Sequence, residues 1–361
     1  MSDVDRPQLG LVLSGGGAKG AYQVGVLQAL QELGVGVDMV AGTSIGALNG
    51  AVLACAASYA EGVERLRELW LSLADESPLQ ANVPAYVALL AAAGLAMNRP
   101  MAVALTQILA LQGKNDGALP GLLQALDELR DPALLSDKPL QRLFDEYVDL
   151  ERLAHGPPLY VAVYESRGAF LDALRCLAAE AGVADTPPSR FVHVQSLPAN
   201  ERRNVLLASA AIPLLYKARR IEERRYSDGG QGGWRKSHGN TPITPLLDAG
   251  CRQLIVTHLS DGSLWNRNDF DATVIEIRPE SRIVAEDGVM AGARATLGFN
   301  RSNITRLINL GHEDTLRCVG RVVRTARGRQ ALQRMEESRS EAVRVEEAAD
   351  ARLAEALSRL R

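Results

Sequence analysis

Two strand-to-helix junctions near the start of the chain constrain its fold more than any other feature. At the first, the apolar run Leu9–Leu13 enters Ser14-Gly15-Gly16-Gly17-Ala18-Lys19-Gly20. From Ala18 to Leu33 apolar residues then recur at helical spacing (Val24, Leu27, Leu30, Leu33), until Gly34 stops the pattern. At the second, the strand-like Val37–Ala41 passes through Gly42-Thr43-Ser44-Ile45-Gly46 into an Ala-rich helix that Ser44 opens and that runs to about Ser58. Strand, helix, strand, helix in this order predicts an α/β fold, with parallel strands and helices packed on the sheet.

Further along the pattern changes. Residues 61–150 are Leu- and Ala-rich helical pieces broken at Pro78, Pro84, Pro100, Pro120, Pro132 and Pro139, with no clear strand, and read as a helical cap insertion. Strand-like runs return at Leu159–Tyr164, Phe191–Leu197, Gln253–Leu259 and Thr273–Ile277. Residues 1–300 are thus expected to form the main domain, and 301–361 a helical C-terminal extension. The Glu/Arg-rich end of that extension lacks a sustained heptad, which suits a surface or dimer helix better than a long coiled coil. Ser77–Asn98 carries no charge, but Gln80, Asn82, Pro84, Gly94 and many alanines leave it too polar for a membrane span. A buried or lid helix is expected there, with docking on a lipid surface as the functional reading.

With 361 residues the chain can bury a large core, and its 4% aromatic content predicts a core of Ala, Leu and Val. A formal charge of −3 predicts no general attraction to nucleic acid. Cys55, Cys176, Cys251 and Cys318 form no C-x-x-C pair, which argues against a structural zinc site and suits reduced thiols. Asp3 and Asp5 precede a strand that begins by Leu9, leaving no apolar signal core, and a cytoplasmic location is expected.

The glycine loop fits two chemistries: a cradle for phosphates, or a set of backbone N–H groups for a negative charge that develops during reaction. A dinucleotide site wants an acidic residue at the end of the second strand, but that strand ends in Ala41-Gly42-Thr43-Ser44 and Asp38 precedes it. A P-loop wants Gly-Lys-Ser/Thr, but Gly20 follows Lys19. G-x-S-x-G at a strand-to-helix junction is the nucleophile-elbow pattern: Gly42, Thr43, Ile45 and Gly46 permit a sharp turn that presents Ser44 at a helix N-terminus. The loop Gly15, Gly16, Gly17, Ala18, Lys19, Gly20 is therefore read as an oxyanion hole. No metal site and no organic cofactor is implied. A base for Ser44 must come from one of 5 histidines or from a carboxylate. Asp228, followed by Gly229 and Gly230 on a bare turn, is such a carboxylate.

These motifs together resemble the patatin-like phospholipase family. "VAGTSIGALNGAVLA" (Val40–Ala54) and "ASAAIP" (Ala208–Pro213) add to the likeness, which is specific over residues 9–58 and 204–260. The resemblance implies a three-layer α/β/α sheet and a dyad with Ser44 as nucleophile and Asp228 as base, without a catalytic histidine. It also implies a lipid or phospholipid substrate met peripherally at a membrane surface. One departure stands out: the family's Asp-Gly-Gly turn continues within a few residues into Asn-x-Pro. Here Asn240-Thr241-Pro242 follows only after "QGGWRKSHG". That loop carries Trp234, Arg235, Lys236 and His238, as a headgroup clamp or as a longer surface loop. It keeps open a Ser-His-Asp esterase using His238 or His258. A latent phospholipase effector switched on by a small-molecule activator or partner also stays open, as does a homodimer.

Overall fold

A computed structural model describes residues 8–75, 138–213, 215–260, 264–280, 283 and 299–358. The chain divides into two compact units, Met1–Thr315 and Leu316–Arg361. The first unit opens with β1 (Leu9–Leu13), a 3-10 turn at Gly17–Gly20, α1 (Ala21–Glu32), β2 (Met39–Gly42), α2 (Ile45–Ala54) and α3 (Tyr59–Asp75). Next come α4 (Lys138–Tyr147), α5 (Leu150–His155), β3 (Leu159–Glu165), α6 (Ala169–Glu180), β4 (Arg190–His193) and α7 (Ala199–Ser209). The hairpin β5 (Arg219–Ile221) and β6 (Arg224–Asp228), α8 (Thr244–Asp248), β7 (Gln253–Thr257) and β8 (Thr273–Ile277) precede the last helix, α9 (Arg301–Ser358).

The strands form one sheet in the order β5-β6-β3-β2-β1-β7-β8, with β4 also paired to β3. β1 lies between β2 and β7 in parallel register, Val12 opposite both Ala41 and Val256. Its continuous apolar run, without alternation, is what a strand covered on both faces requires. On one face Leu13, Val40 and Leu159 close on Gly50 of α2. On the other, Val12, Met39, Ala41, Leu254 and Val256 pack with Ile243, Leu246 and Trp265. Helix, sheet and helix make the expected α/β layering.

Strand direction departs from a simple parallel alternation at β3. It runs parallel to β2 but antiparallel to both β4 and β6. Gly42 pairs with Val161 and Asp228 with Val163, so β3 holds the ends of β2 and β6 side by side. The strand expected over Phe191–Leu197 stops at His193, where a 3-10 turn begins. Gln195 leaves the ladder there to accept the Leu159 N–H at 3.0 Å and donate to the Pro157 carbonyl at 2.8 Å.

The first turns of α9 belong to the sheet's unit. Gly311 lies against the Tyr22 carbonyl and Gly25 against the Ile308 carbonyl, with no space for a side chain at either position. The Tyr22 hydroxyl donates to Asp314 at 2.9 Å, holding the helix that directly follows the glycine loop. The second unit is the remainder of that helix, whose residues 324–349 are exposed. Among the described residues no helix is long and apolar enough to cross a membrane. Most of the expected cap, including the uncharged stretch 77–98, lies outside the described residues.

Candidate active site

Ser44 sits between β2 and α2 with φ 55 and ψ −124, a backbone conformation that costs a non-glycine residue about 1–3 kcal/mol. The flanking glycines make that turn sterically feasible. A side chain at Gly46 would run into the Leu13 carbonyl, and one at Gly42 into the Gly46 carbonyl. The turn is held by Thr43 N–H to the Leu13 carbonyl at 3.1 Å and Gly46 N–H to the Thr43 carbonyl at 2.8 Å. Only 6% of Ser44 is exposed.

Asp228 closes β6 and is equally enclosed, with 7% exposed. Its carboxylate lies beside the Ser44 side chain, which lowers its pKa, and accepts the Gly230 N–H at 2.8 Å. Burial pushes its carboxyl up to about 6, against the lowering effect of the Ser44 side chain and the Gly230 N–H. Gly229 is obligatory because the Ala162 carbonyl occupies the space a side chain would take. Gln231 donates to the Asp228 carbonyl at 2.9 Å and Ser189 to the Gly229 carbonyl at 2.6 Å, so the turn is braced from both sides.

The glycine loop lies beside this pair. An added Cβ at Gly15 would stand 3.1 Å from that of Ser44. Gly15 donates its N–H to the Asn240 carbonyl at 3.3 Å, and Lys19 donates to the Gly16 carbonyl at 3.3 Å. Gly17 has φ 57, the left-handed conformation that glycine adopts without penalty. Among the described residues the N–H groups of Gly16, Gly17, Ala18 and Ile45 meet no acceptor. Within the loop Gly15 and Lys19 are thus committed, while Gly16 and Gly17, the loop donors expected for an oxyanion, are open.

Residues 234–236 of the loop 231–239 are tied to other segments. The Trp234 indole donates to Glu180 at 2.7 Å, the Arg235 N–H to Asp185 at 3.1 Å, and Lys236 pairs with Asp269 at 3.2 Å. The far end of this loop does reach the site. Thr43 Oγ1 donates to the Gly239 carbonyl at 2.7 Å, Asn240 Nδ2 donates to the Gly15 carbonyl at 3.4 Å, and the Ser14 and Thr241 hydroxyls meet at 3.0 Å. Gly239–Thr241 therefore straps the elbow to the glycine loop. The Asn-x-Pro step was the only sequence sign of it.

The two candidate histidines lie against other residues, and His238 Nε2 has no hydrogen-bond partner among the described residues. His258 is buried, its Nε2 3.0 Å from Glu276, and its ring packs against Trp265. His238 lies 3.8 Å from Asp269 and tilts against Phe270. Burial holds both imidazoles below the ordinary histidine range. Among the described residues no group of His, Cys, Asp and Glu is arranged to hold a metal ion.

A layered α/β sheet with a serine on a strained strand-to-helix turn, beside a buried aspartate, is the architecture of an elbow-type hydrolase fold. The chain belongs to the patatin-like phospholipase family, whose sequence profile matches residues 11–247. Its similarity to individual curated proteins is high but short. It is 61% identical over 46 residues to lysophospholipase nte1 of Aspergillus terreus (13% of this chain, 3% of that protein). It is 57% identical over 53 residues to patatin-like phospholipase domain-containing protein 7 of Mus musculus (15% and 4%). It is 50% identical over 60 residues to neuropathy target esterase sws of Drosophila melanogaster (17% and 4%). The matched stretches span only 3–4% of these relatives' lengths. Among solved structures, VipD from Legionella pneumophila has a TM-score of 0.44 at 16% identity, covering 87% of this chain and 67% of that one. That likeness is too loose to carry a conclusion.

Proposed function

We propose that the chain hydrolyses fatty-acyl esters of lipids or phospholipids, with Ser44 as nucleophile and Asp228 as its base. The observation that carries this reading is the placement of Ser44, on a strained turn, beside a buried Asp228 carboxylate that burial raises to about 6 and the Ser44 side chain lowers. A carboxylate of that basicity is still ionised at neutral pH, yet accepts a proton more readily than an exposed aspartate. Ser44 Oγ attacks the ester carbonyl carbon and its proton passes to Asp228. The oxyanion is met by the N–H groups of Gly16, Gly17 and Ile45, at the N-terminus of α2 where the helix dipole favours negative charge. The intermediate collapses to the acyl-enzyme, and the leaving alcohol takes the proton from Asp228. Water, deprotonated by Asp228, then attacks the acyl carbonyl, and collapse of that intermediate frees the fatty acid as Asp228 returns the proton to Ser44 Oγ.

The lipid class rests on family membership, and the ester chemistry on the site. A Ser-His-Asp arrangement is disfavoured because the carboxylate of Asp228 itself lies beside Ser44 and the His258 ring is taken up by Glu276 and Trp265. The chain meets its substrate from the cytoplasmic side as a peripheral protein. The test is lipid mass spectrometry on wild type and Ser44→Ala, together with labelling by a fluorophosphonate probe. Loss of (phospho)lipid species and release of fatty acid should depend on Ser44, and the probe should mark Ser44. Covalent labelling of a different serine with Ser44 untouched would overturn the assignment.

A further inference from the structure

The motif Ala208–Pro213 has no part in the chemistry above, yet it touches the backbone of both dyad residues. Ser209, the last residue of α7, is completely buried. Its Oγ accepts the Ser44 N–H at 2.9 Å and donates to the Ala162 carbonyl at 2.7 Å. Further along the same segment, the Ala211 carbonyl accepts the Asp228 N–H at 3.0 Å. The Ala162 carbonyl in turn lies against Gly229, directly after Asp228. One short piece of chain at the end of α7 therefore grips the nucleophile and the base from behind.

We infer that Ser209 is a positioning residue for the dyad: its hydroxyl holds the Ser44 peptide in the strained turn, which aims the Ser44 side chain at Asp228. The inference rests on the dyad reading above. A hydroxyl has one proton, and here that proton is engaged by Ala162, so only lone pairs face the Ser44 N–H. This polarity fixes the peptide's orientation and directs the Ser44 N–H away from the oxyanion site, leaving Gly16, Gly17 and Ile45 as its donors. No side chain caps α2, so the elbow has no capping bond to replace Ser209. Without the hydroxyl, the Ser44 N–H and the Ala162 carbonyl are both left buried and unpaired. The nearest relief is rotation of the Thr43–Ser44 peptide out of its positive φ, which carries the Ser44 side chain off Asp228.

The experiment compares Ser209→Ala and the near-isosteric Ser209→Cys with wild type on a short soluble ester. It records kcat, KM, pH profile, fluorophosphonate labelling rate and melting temperature. Ser166→Ala serves as the stability control, because Ser166 is a buried hydroxyl hydrogen-bonded to Asp172 and outside the proposed machinery. Both Ser209 variants should lose about 10- to 100-fold in kcat and in labelling rate, with KM changed by less than about 2-fold. Their acid limb should also move to higher pH: a Ser44 hydroxyl turned away no longer stabilises the Asp228 carboxylate, which then protonates more readily. Should Ser209→Ala not fold, Ser209→Cys is read alone. Variants that melt earlier, as Ser166→Ala does, but keep kcat within about 3-fold and an unmoved acid limb would show that Ser209 only supports the fold. Failure of the dyad reading is separable, because Ser44→Ala and Asp228→Asn would then stay active whatever Ser209 does.

Discussion

The Ser44 side chain lies beside the Asp228 carboxylate across β3, in a site where both residues are almost wholly withdrawn from water. Enclosure makes that carboxylate basic, and the Ser44 side chain and the Gly230 N–H keep it from rising further than about 6. A base must be ionised to take the serine proton. On a soluble ester, kcat/KM should therefore be level near pH 8 and fall about tenfold per pH unit well below 6. Full activity retained at pH 4.5 would show that the base titrates as an ordinary exposed aspartate, or that another group does the work.

The same shift has a consequence for stability. A carboxyl whose folded-state pKa lies above its unfolded value favours folding at low pH, and loses that contribution as pH rises through about 6. Asp228→Asn removes the buried charge while preserving shape. It should lower kcat by at least about 10²-fold. At pH 8 its melting temperature should equal or exceed that of wild type, and the relative gain should vanish by pH 4. A variant less stable than wild type at pH 8 would mean that the lost hydrogen bonds outweigh the relieved burial.

His238→Ala and His258→Ala should both retain most of the activity. His258→Ala should reduce stability the more, because it removes a buried ring and the partner of Glu276. The decisive measurement is kcat on folded protein. If either variant were as damaged as Asp228→Asn with an intact melting curve, a histidine would replace the dyad.

Glycine substitutions test the open donors of the loop. An added Cβ at Gly16 would lie 3.0 Å from Cβ and Cδ1 of Leu259, a contact that a shift of a few tenths of an ångström relieves, so Gly16→Ala should fold. Gly17→Ala is strained by φ 57 as well. Both should reduce kcat by about 10²–10³-fold with little change in KM, the usual effect of displacing an oxyanion donor. An unchanged kcat in both would dissociate the loop from the chemistry.

Gly46→Ala is expected to fail at the level of folding rather than catalysis, because its methyl meets the Leu13 carbonyl on the central strand. A sharply lower melting temperature or insoluble expression is the expected readout, and a normally folded, active Gly46→Ala would contradict the close packing of the elbow.

The α/β layering, the run β1–α1–β2–α2, the elbow at Ser44 and the turn at Asp228 were legible in the sequence because each is written locally. Apolar runs, helical spacing and glycines at sharp turns act between residues a few positions apart. Neither the direction of β6, which brings Asp228 beside Ser44, nor the grip of Ser209 and Ala211 on the two amides has such a local sign. The division of the glycine loop into committed and open N–H groups depends on Asn240, far along the chain. The basicity of Asp228 depends on how completely distant segments exclude water from it. Local patterns determined which groups this chain carries. Which of them face one another, which donors stay open and how strongly the base holds a proton were decided by tertiary packing, because burial and hydrogen-bond partnership are properties of neighbours in space.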